Sequence, residues 1–214
     1  MFDRLLTRPR KFTRTAAAGL LAALAPLAAA ALPPLQESAF WQEEIDSGDL
    51  PPIAERLPDA PLVVDLEAKD REIGTPGGTL RTMVTRSKDI RQMVVYGYAR
   101  LIGYDANYEL APDLLDSFEN VDNRTFTLRL RSGHKWSDGH PFTSADFAYW
   151  WDDVANNPAL SPAGPPDFLR VEGELPKVSF PDETTVVFEW NAPNPGFLQT
   201  LAQARPPFIF RPAH

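Results

Sequence analysis

Groups able to do acid–base or metal chemistry are plentiful in these 214 residues, and their spacing rather than their presence decides what they can do. Asp152-Asp153 and the pair Asp113/Asp116 are the nearest approach to the two facing carboxylates that glycoside hydrolysis requires. Adjacent acids on a helix form a solvated face instead. Asp138 is used by an Asp-Gly turn and Asp146 by a helix cap, so neither is free to act as an acid or base. His134 and His140 lie six apart across a glycine-containing turn, which is no metal-ligand spacing, and His214 stands at the end of the sequence. There is no Gly-rich phosphate loop, no Gly-x-Ser-x-Gly elbow, no His-Glu-x-x-His and no cysteine at all. Catalysis has no positive support, which leaves recognition by non-covalent contacts.

Candidates for such contacts follow from one predicted strand. Gly77-Gly78 gives way to Thr79–Val84, in which Leu80, Thr82 and Val84 share a face, and Thr85-Arg86-Ser87 leaves its carboxyl end. In open α/β sheets ligands bind at the carboxyl ends of strands. Thr85, Arg86, Ser87 and Lys88 are therefore the first candidate ligand contacts. The competing reading gives Arg86 and Lys88 to solvent and makes Ser87 only the cap of the next helix, whose apolar face would be Ile90, Met93, Val94, Gly97 and Leu101.

The elements that must position any site centre on residues 109–158. Thr125–Arg131 alternates, with Phe126, Leu128 and Leu130 on one face, the pattern of a half-buried strand. Asp122-Asn123 supplies turn chemistry, so the segment around Phe118 is expected to fold back as its antiparallel neighbour. Ser132-Gly133 and Asp138-Gly139 bracket His134-Lys135-Trp136 and place the indole beside the sheet. Thr143 with Asp146 three residues on makes a capping-box pair, after which Phe147, Trp150, Trp151 and Val154 load one helical face until Asn156-Asn157-Pro158. Elsewhere, Tyr104–Tyr108 is a tight turn, Pro112 opens a brief helix through Leu115, and Lys177–Phe180 with Thr185–Trp190 forms a hairpin. Asn194 caps and Pro195 begins a helix bearing Phe197, Leu198 and Leu201.

The run from Leu128 to Asp146, Leu-Arg-Leu-Arg-Ser-Gly-His-Lys-Trp-Ser-Asp-Gly-His-Pro-Phe-Thr-Ser-Ala-Asp, resembles the signature of the large periplasmic solute-binding proteins of ABC importers, family 5, the oligopeptide- and dipeptide-binding type. The resemblance spans about residues 75–214. It implies an α/β fold of the type II periplasmic-binding-protein kind, first lobe only, with a mixed sheet flanked by helices and hairpins. It implies a monomer without cofactor or metal that binds a small solute, an oligopeptide or something similar, and hands it to an inner-membrane ABC permease. It adds Ser161, Pro162 and Phe168, on the proline-rich loop 159–170, as further ligand-contact candidates; a plain surface loop is the competing reading. Relatives are more than twice as long, so the chain is expected to be the N-terminal part of such a protein, and to bind weakly or not at all without the second lobe. The alternative is a non-transport interaction module built on the same lobe.

The ends of the chain differ from this region. Arg4, Arg8, Arg10, Lys11 and Arg14, the apolar stretch Ala16–Leu27 and the small residues Ala28–Ala31 read as a cleaved signal peptide over residues 1–31, exported by the general secretion route; the competing reading, a short transmembrane anchor, suits the short apolar run and Pro26 less well. Without cysteine the mature chain has no disulfide and no lipid anchor on an N-terminal Cys, which points to a Gram-negative periplasm. Residues 32–74 read as an acidic, proline-studded extension that wraps the lobe surface, with Phe40, Trp41, Glu44 and Ile45 at helical spacing before Gly48; a disordered linker is the competing reading. The net charge is −8. Loss of the basic leader makes it more negative, so nucleic acid is excluded as a partner. Three segments follow: residues 1–31, the extension 32–74, and the solute-binding lobe 75–214.

Overall fold

A computed structural model describes residues 35–66, 71–75, 77–93 and 99–214. The predicted signal peptide lies outside them, as do positions 94–98 of the helix expected after Ser87. The described residues form six strands: β1 Ile102–Tyr104, β2 Leu110–Pro112, β3 Leu115–Val121, β4 Thr125–Leu130, β5 Lys177–Asp182 and β6 Thr185–Glu189. β1 and β2 pair as a ribbon of two, and the other four form a sheet in the order β3-β4-β6-β5, every ladder antiparallel.

The period-2 pattern of β4 becomes its burial pattern. Phe126, Leu128 and Leu130 are buried, while Arg129 points outward to an ion pair with Glu119 at 3.2 Å. Val186, Phe188 and Trp190 extend the same apolar face from β6. Each such side chain removed from water contributes roughly 1.5–3 kcal/mol. The β3–β4 turn carries both Asp122 (φ 55°) and Asn123 (φ 53°) in the left-handed region, where Asp and Asn are better tolerated than other side chains. Pro181 sits in β5 because β5 is an edge, where a missing N–H breaks no ladder.

Among the described residues the α-helices are α1 Gln42–Ser47, α2 Ile53–Arg56, α3 Ser144–Tyr149 and α4 Phe197–Leu201. α1 ends at Gly48 in the left-handed conformation, as its sequence indicates. α4 buries Phe197, Leu198 and Leu201 under the sheet, where Phe197 meets Phe126 at 5.0 Å and Trp190 at 4.9 Å between ring centres. The capping box at α3 is formed: Thr143 Oγ1 accepts the Ala145 N–H and the Asp146 carboxylate accepts the Thr143 N–H at 2.9 Å. Ser144 pins the helix start to the β5–β6 turn, its N–H bonding Glu183 O at 2.8 Å and its hydroxyl bonding Asp182 O at 2.7 Å.

Four local expectations are corrected. Residues 79–84 form no strand; they are irregular and exposed, with Leu80 72% accessible, because no described element offers them a ladder. Pro112 ends β2 instead of opening a helix, since Asp113 N–H and Leu115 N–H are both taken by Leu101 O and Leu114 N–H by Arg100 O. Asn194 does not cap α4: its amide reaches Phe168 O at 3.1 Å, and Gly196 holds the cap position without a side-chain bond. The aromatic helix is α only to Tyr149 and widens to a π-turn over Trp150–Ala155, with Asn156 N–H on Trp151 O five residues back. The wider turn places Trp150 in the core while Trp151 stays half-buried.

Candidate functional site

Residues 131–142, between β4 and α3, are where the described side chains converge. The loop folds on itself through Trp136 N–H to His140 O at 2.8 Å and Gly139 N–H to Trp136 O at 3.0 Å, with Gly139 at φ 90°. Its apolar side joins a ring cluster: Phe142 stands 5.4 Å from Trp136, 5.7 Å from Phe147 and 5.1 Å from Phe210. A small cavity of about 100 Å³ opens between Leu114, His134, Lys135, Trp136, Phe142 and Phe210.

The other side of the loop meets the N-terminal extension. Asp59 N–H bonds Ser132 O at 3.1 Å and the Asp59 carboxylate accepts the Ser132 hydroxyl at 2.8 Å. Arg131 reaches Ala60 O, and the Lys135 ammonium donates to Glu55 O. Within the extension, Arg56 pairs with Glu37 and also holds Pro51 O at 2.7 Å. Gly133 is required twice over: its φ is 78°, and a Cβ there would lie 2.7 Å from Asp59 Cγ and 2.8 Å from Asp59 N. Between Leu50, Pro51, Glu55 and Arg56 on one side and residues 135–139 on the other lies a cleft of about 430 Å³. Nothing in the 131–142 pattern signals this dock, because the contacts span more than seventy residues.

The titratable groups here are shaped by their surroundings. Burial holds the His134 imidazole below its ordinary value, the nearby Arg131 cation adds to this, and Asp113 works against it. Asp138 is held low chiefly by its hydrogen bond with His214 and next by the His140 N–H, at 2.7 and 3.0 Å. The His140 and His214 rings stack at 3.9 Å. Asp146, 2% exposed, completes the tie to the tail by accepting the Ala213 N–H at 3.0 Å while its backbone carbonyl takes the Arg211 N–H. No group of three metal-ligating side chains forms among the described residues.

The candidates from the sequence lie elsewhere. Thr85, Arg86, Ser87 and Lys88 are all exposed. Ser87 starts a 3₁₀ turn, Ser87–Met93, and the capping role falls to Asp89, whose carboxylate accepts the Arg86 N–H at 3.1 Å. Ser161 is spent on Val154 O at 2.8 Å, Pro162 is exposed, and Phe168 packs half-buried against the core. No hydrogen bond, ion pair or ring contact joins 85–88 to 161–168 among the described residues. The extension–loop cleft was missed by sequence reasoning; Lys135-Trp136 marks one wall of it, and no local pattern marks the other.

Comparison with known proteins places this geometry. Residues 109–212 match the family described as bacterial extracellular solute-binding proteins, family 5. A periplasmic alpha-galactoside-binding protein of Rhizobium meliloti is 30% identical over 143 residues, 57% of this chain and 21% of that protein. The periplasmic murein peptide-binding protein MppA of Escherichia coli is 36% identical over 62 residues, 29% of this chain and 12% of that protein. The solved structure of an oligopeptide-binding protein, OppA, superimposes with a TM-score of 0.66 at 32% identity, covering 79% of this chain and 26% of that one. The match to the alpha-galactoside-binding protein thus takes in about a fifth of that relative's length. The architecture is of the periplasmic-binding-protein type. Over the hairpin, the 131–142 loop and the capped aromatic helix, residues 109–212, the chain matches the model of the bacterial extracellular solute-binding proteins, family 5 Middle.

Proposed function

We propose that this chain supplies part of the substrate-binding component of a bacterial ABC importer, working in the periplasm and delivering an oligopeptide or similar solute to an inner-membrane permease. The observation that carries the reading is the family match over residues 109–212, on a fold that superimposes on an oligopeptide-binding protein. The periplasmic setting is supported by the relatives MppA and the alpha-galactoside-binding protein, and by the basic, apolar, small-residue order of residues 1–31. Such proteins act by binding and release rather than by bond chemistry. Thr85, Arg86, Ser87 and Lys88 are the proposed first contacts: exposed polar groups with two cations suit the carboxylates and carbonyl oxygens of a peptide. Ser161, Pro162 and Phe168 are the proposed second group, on the loop that follows the aromatic helix. Residues 1–31 act as the leader in this reading, and 32–74 as an extension of the lobe that begins near residue 75.

A second ligand class has its own support, since the longer of the two curated matches described above is to a protein named for alpha-galactosides. Native mass spectrometry of the protein isolated from the periplasm of its host separates the two. The expected result is a mixture of copurified peptide masses, and for Arg86→Ala/Lys88→Ala a loss of peptide affinity of about tenfold by calorimetry. A copurified hexose oligomer would replace the peptide reading with the galactoside one. No solute retained by the full-length periplasmic form, together with no calorimetric response of that form to either class, would overturn the transport reading itself.

A further inference from the structure

We propose that the cleft between the N-terminal extension and the 131–142 loop is a second, separate binding site for a small neutral carbohydrate, a mono- or disaccharide. The proposal does not rest on the transport reading, since the residues lining this cleft include none of 85–88 or 161–168.

The volume of about 430 Å³ lies within the range of small-ligand sites, roughly 300–1,000 Å³. Three lining groups form the argument. Glu55 is exposed, and its carboxylate makes no hydrogen bond or ion pair among the described residues; its N–H is taken by Pro52 O and its backbone oxygen by Lys135. Lys135 spends one of three ammonium donors on that oxygen, so two remain. The Ser137 hydroxyl is exposed and makes no bond among the described residues. An acceptor, a donor and a group that is both match the neighbouring hydroxyls of a sugar ring, each of which also donates and accepts. The opposite charges of Glu55 and Lys135 cancel locally, so a neutral ligand is not opposed by a net field. Leu50, Pro51 and the Trp136 indole supply the apolar wall against which the C–H face of a pyranose can lie.

Trp136 gives a second, independent indication. Its indole Nε1–H is buried and has no acceptor among the described residues. A buried donor left without a partner costs about 1–3 kcal/mol. A ligand oxygen that lets the ring turn its N–H toward the cleft would recover much of that. The extension is held firmly enough to form a wall, by Asp59 on Ser132, Lys135 on Glu55 and the steric fit at Gly133.

The test follows the Trp136 indole N–H resonance, picked out from the five tryptophans by Trp136→Phe, while the whole chain is titrated with melibiose and, separately, with the dipeptide Ala-Ala. The expected result is a saturable shift with melibiose at millimolar concentration and none with Ala-Ala. Glu55→Ala should weaken it about fivefold and Ser137→Ala about threefold, as one or two lost hydrogen bonds would. Arg86→Ala/Lys88→Ala should leave it unchanged, which separates this site from the transport ligand. No shift with melibiose, a shift with Ala-Ala in its place, or an unaltered melibiose titration in Glu55→Ala would each overturn the proposal.

Discussion

His134 is a side chain whose type suggests chemistry and whose surroundings assign it to packing. Its ring borders the small cavity with Leu114, Phe142 and Phe210, edge-on to Phe142 at 6.4 Å, and its carbonyl accepts the Phe142 N–H at 2.8 Å. Burial and the Arg131 cation both disfavour a proton on it, so it is neutral in the folded chain at a pH where the unfolded chain's histidine takes one up. The sign follows from that. The folded value lies below the unfolded 6.5, so His134's contribution to stability is complete above about pH 6.5 and is lost as the pH falls from there toward the folded value. The urea midpoint of the wild type should therefore fall between about pH 7.5 and pH 5.5 by more than that of His134→Asn, which has nothing to titrate at this position. Equal falls in the two proteins would show that the ring takes up protons as freely when folded. The sequence reading set His134 aside as a metal ligand from its spacing alone. It could not reveal that the ring belongs to a wall, because Phe210 and Leu114 join it from distant parts of the chain.

At the level of elements, what could be read in advance was local. A strand with Phe126, Leu128 and Leu130 on one face, the turn at Asp122-Asn123, and a Thr143/Asp146 cap each depend on residues within a few positions of one another, and each is formed. What could not be read depended on a partner. Residues 79–84 carry a strand's alternation but have no described neighbour to pair with, and Pro112 follows the β1 ladder because Leu101 and Arg100 claim the backbone beyond it. Asp146 stands on both sides of this division. Its cap was legible, while its second role, holding Ala213 N–H from sixty-seven residues away, was not. Asp146→Ala strips an acceptor from two N–H groups in a buried setting, whereas Thr143→Ala removes only a 3.3 Å cap bond to Ala145. The expected costs are about 2–4 kcal/mol for the first, the sum of two unsatisfied donors, and about 1 kcal/mol for the second. Denaturant melts of the two variants settle the order. A Thr143→Ala loss equal to or above that of Asp146→Ala would mean that the tail contact contributes nothing.

On the scale of the whole molecule, stability is unevenly spread. The four-stranded sheet, the aromatic helix and α4 share one apolar core, with Phe126, Phe147, Phe188 and Phe197 nearly inaccessible. The extension carries no buried residue in α1 or α2 and is joined to that core through polar contacts at 131–135. Residues 79–91 are exposed almost throughout, with Met83 97% and Ile90 66% accessible and no sheet hydrogen bonds. Segments with few apolar contacts and unpaired backbone open at little cost, and a protease needs such opening to bind an extended stretch in its cleft. Four tryptic sites, Arg81, Arg86, Lys88 and Arg91, fall in this stretch, whereas Arg124 and Arg129 lie at the turn and within the ladder of the β3–β4 hairpin. Brief trypsin treatment under native conditions should therefore cut first between Arg81 and Arg91 and leave a resistant product that runs through the sheet to the tail, identified by mass. The extension should separate from that product only on denaturation, since Asp59, Glu55 and Ala60 hold it to the loop after the chain is cut. Early cleavage at Arg124 or Arg129, or release of the extension on gel filtration without denaturant, would contradict this ordering, and the latter would also remove the wall on which the proposed carbohydrate cleft depends.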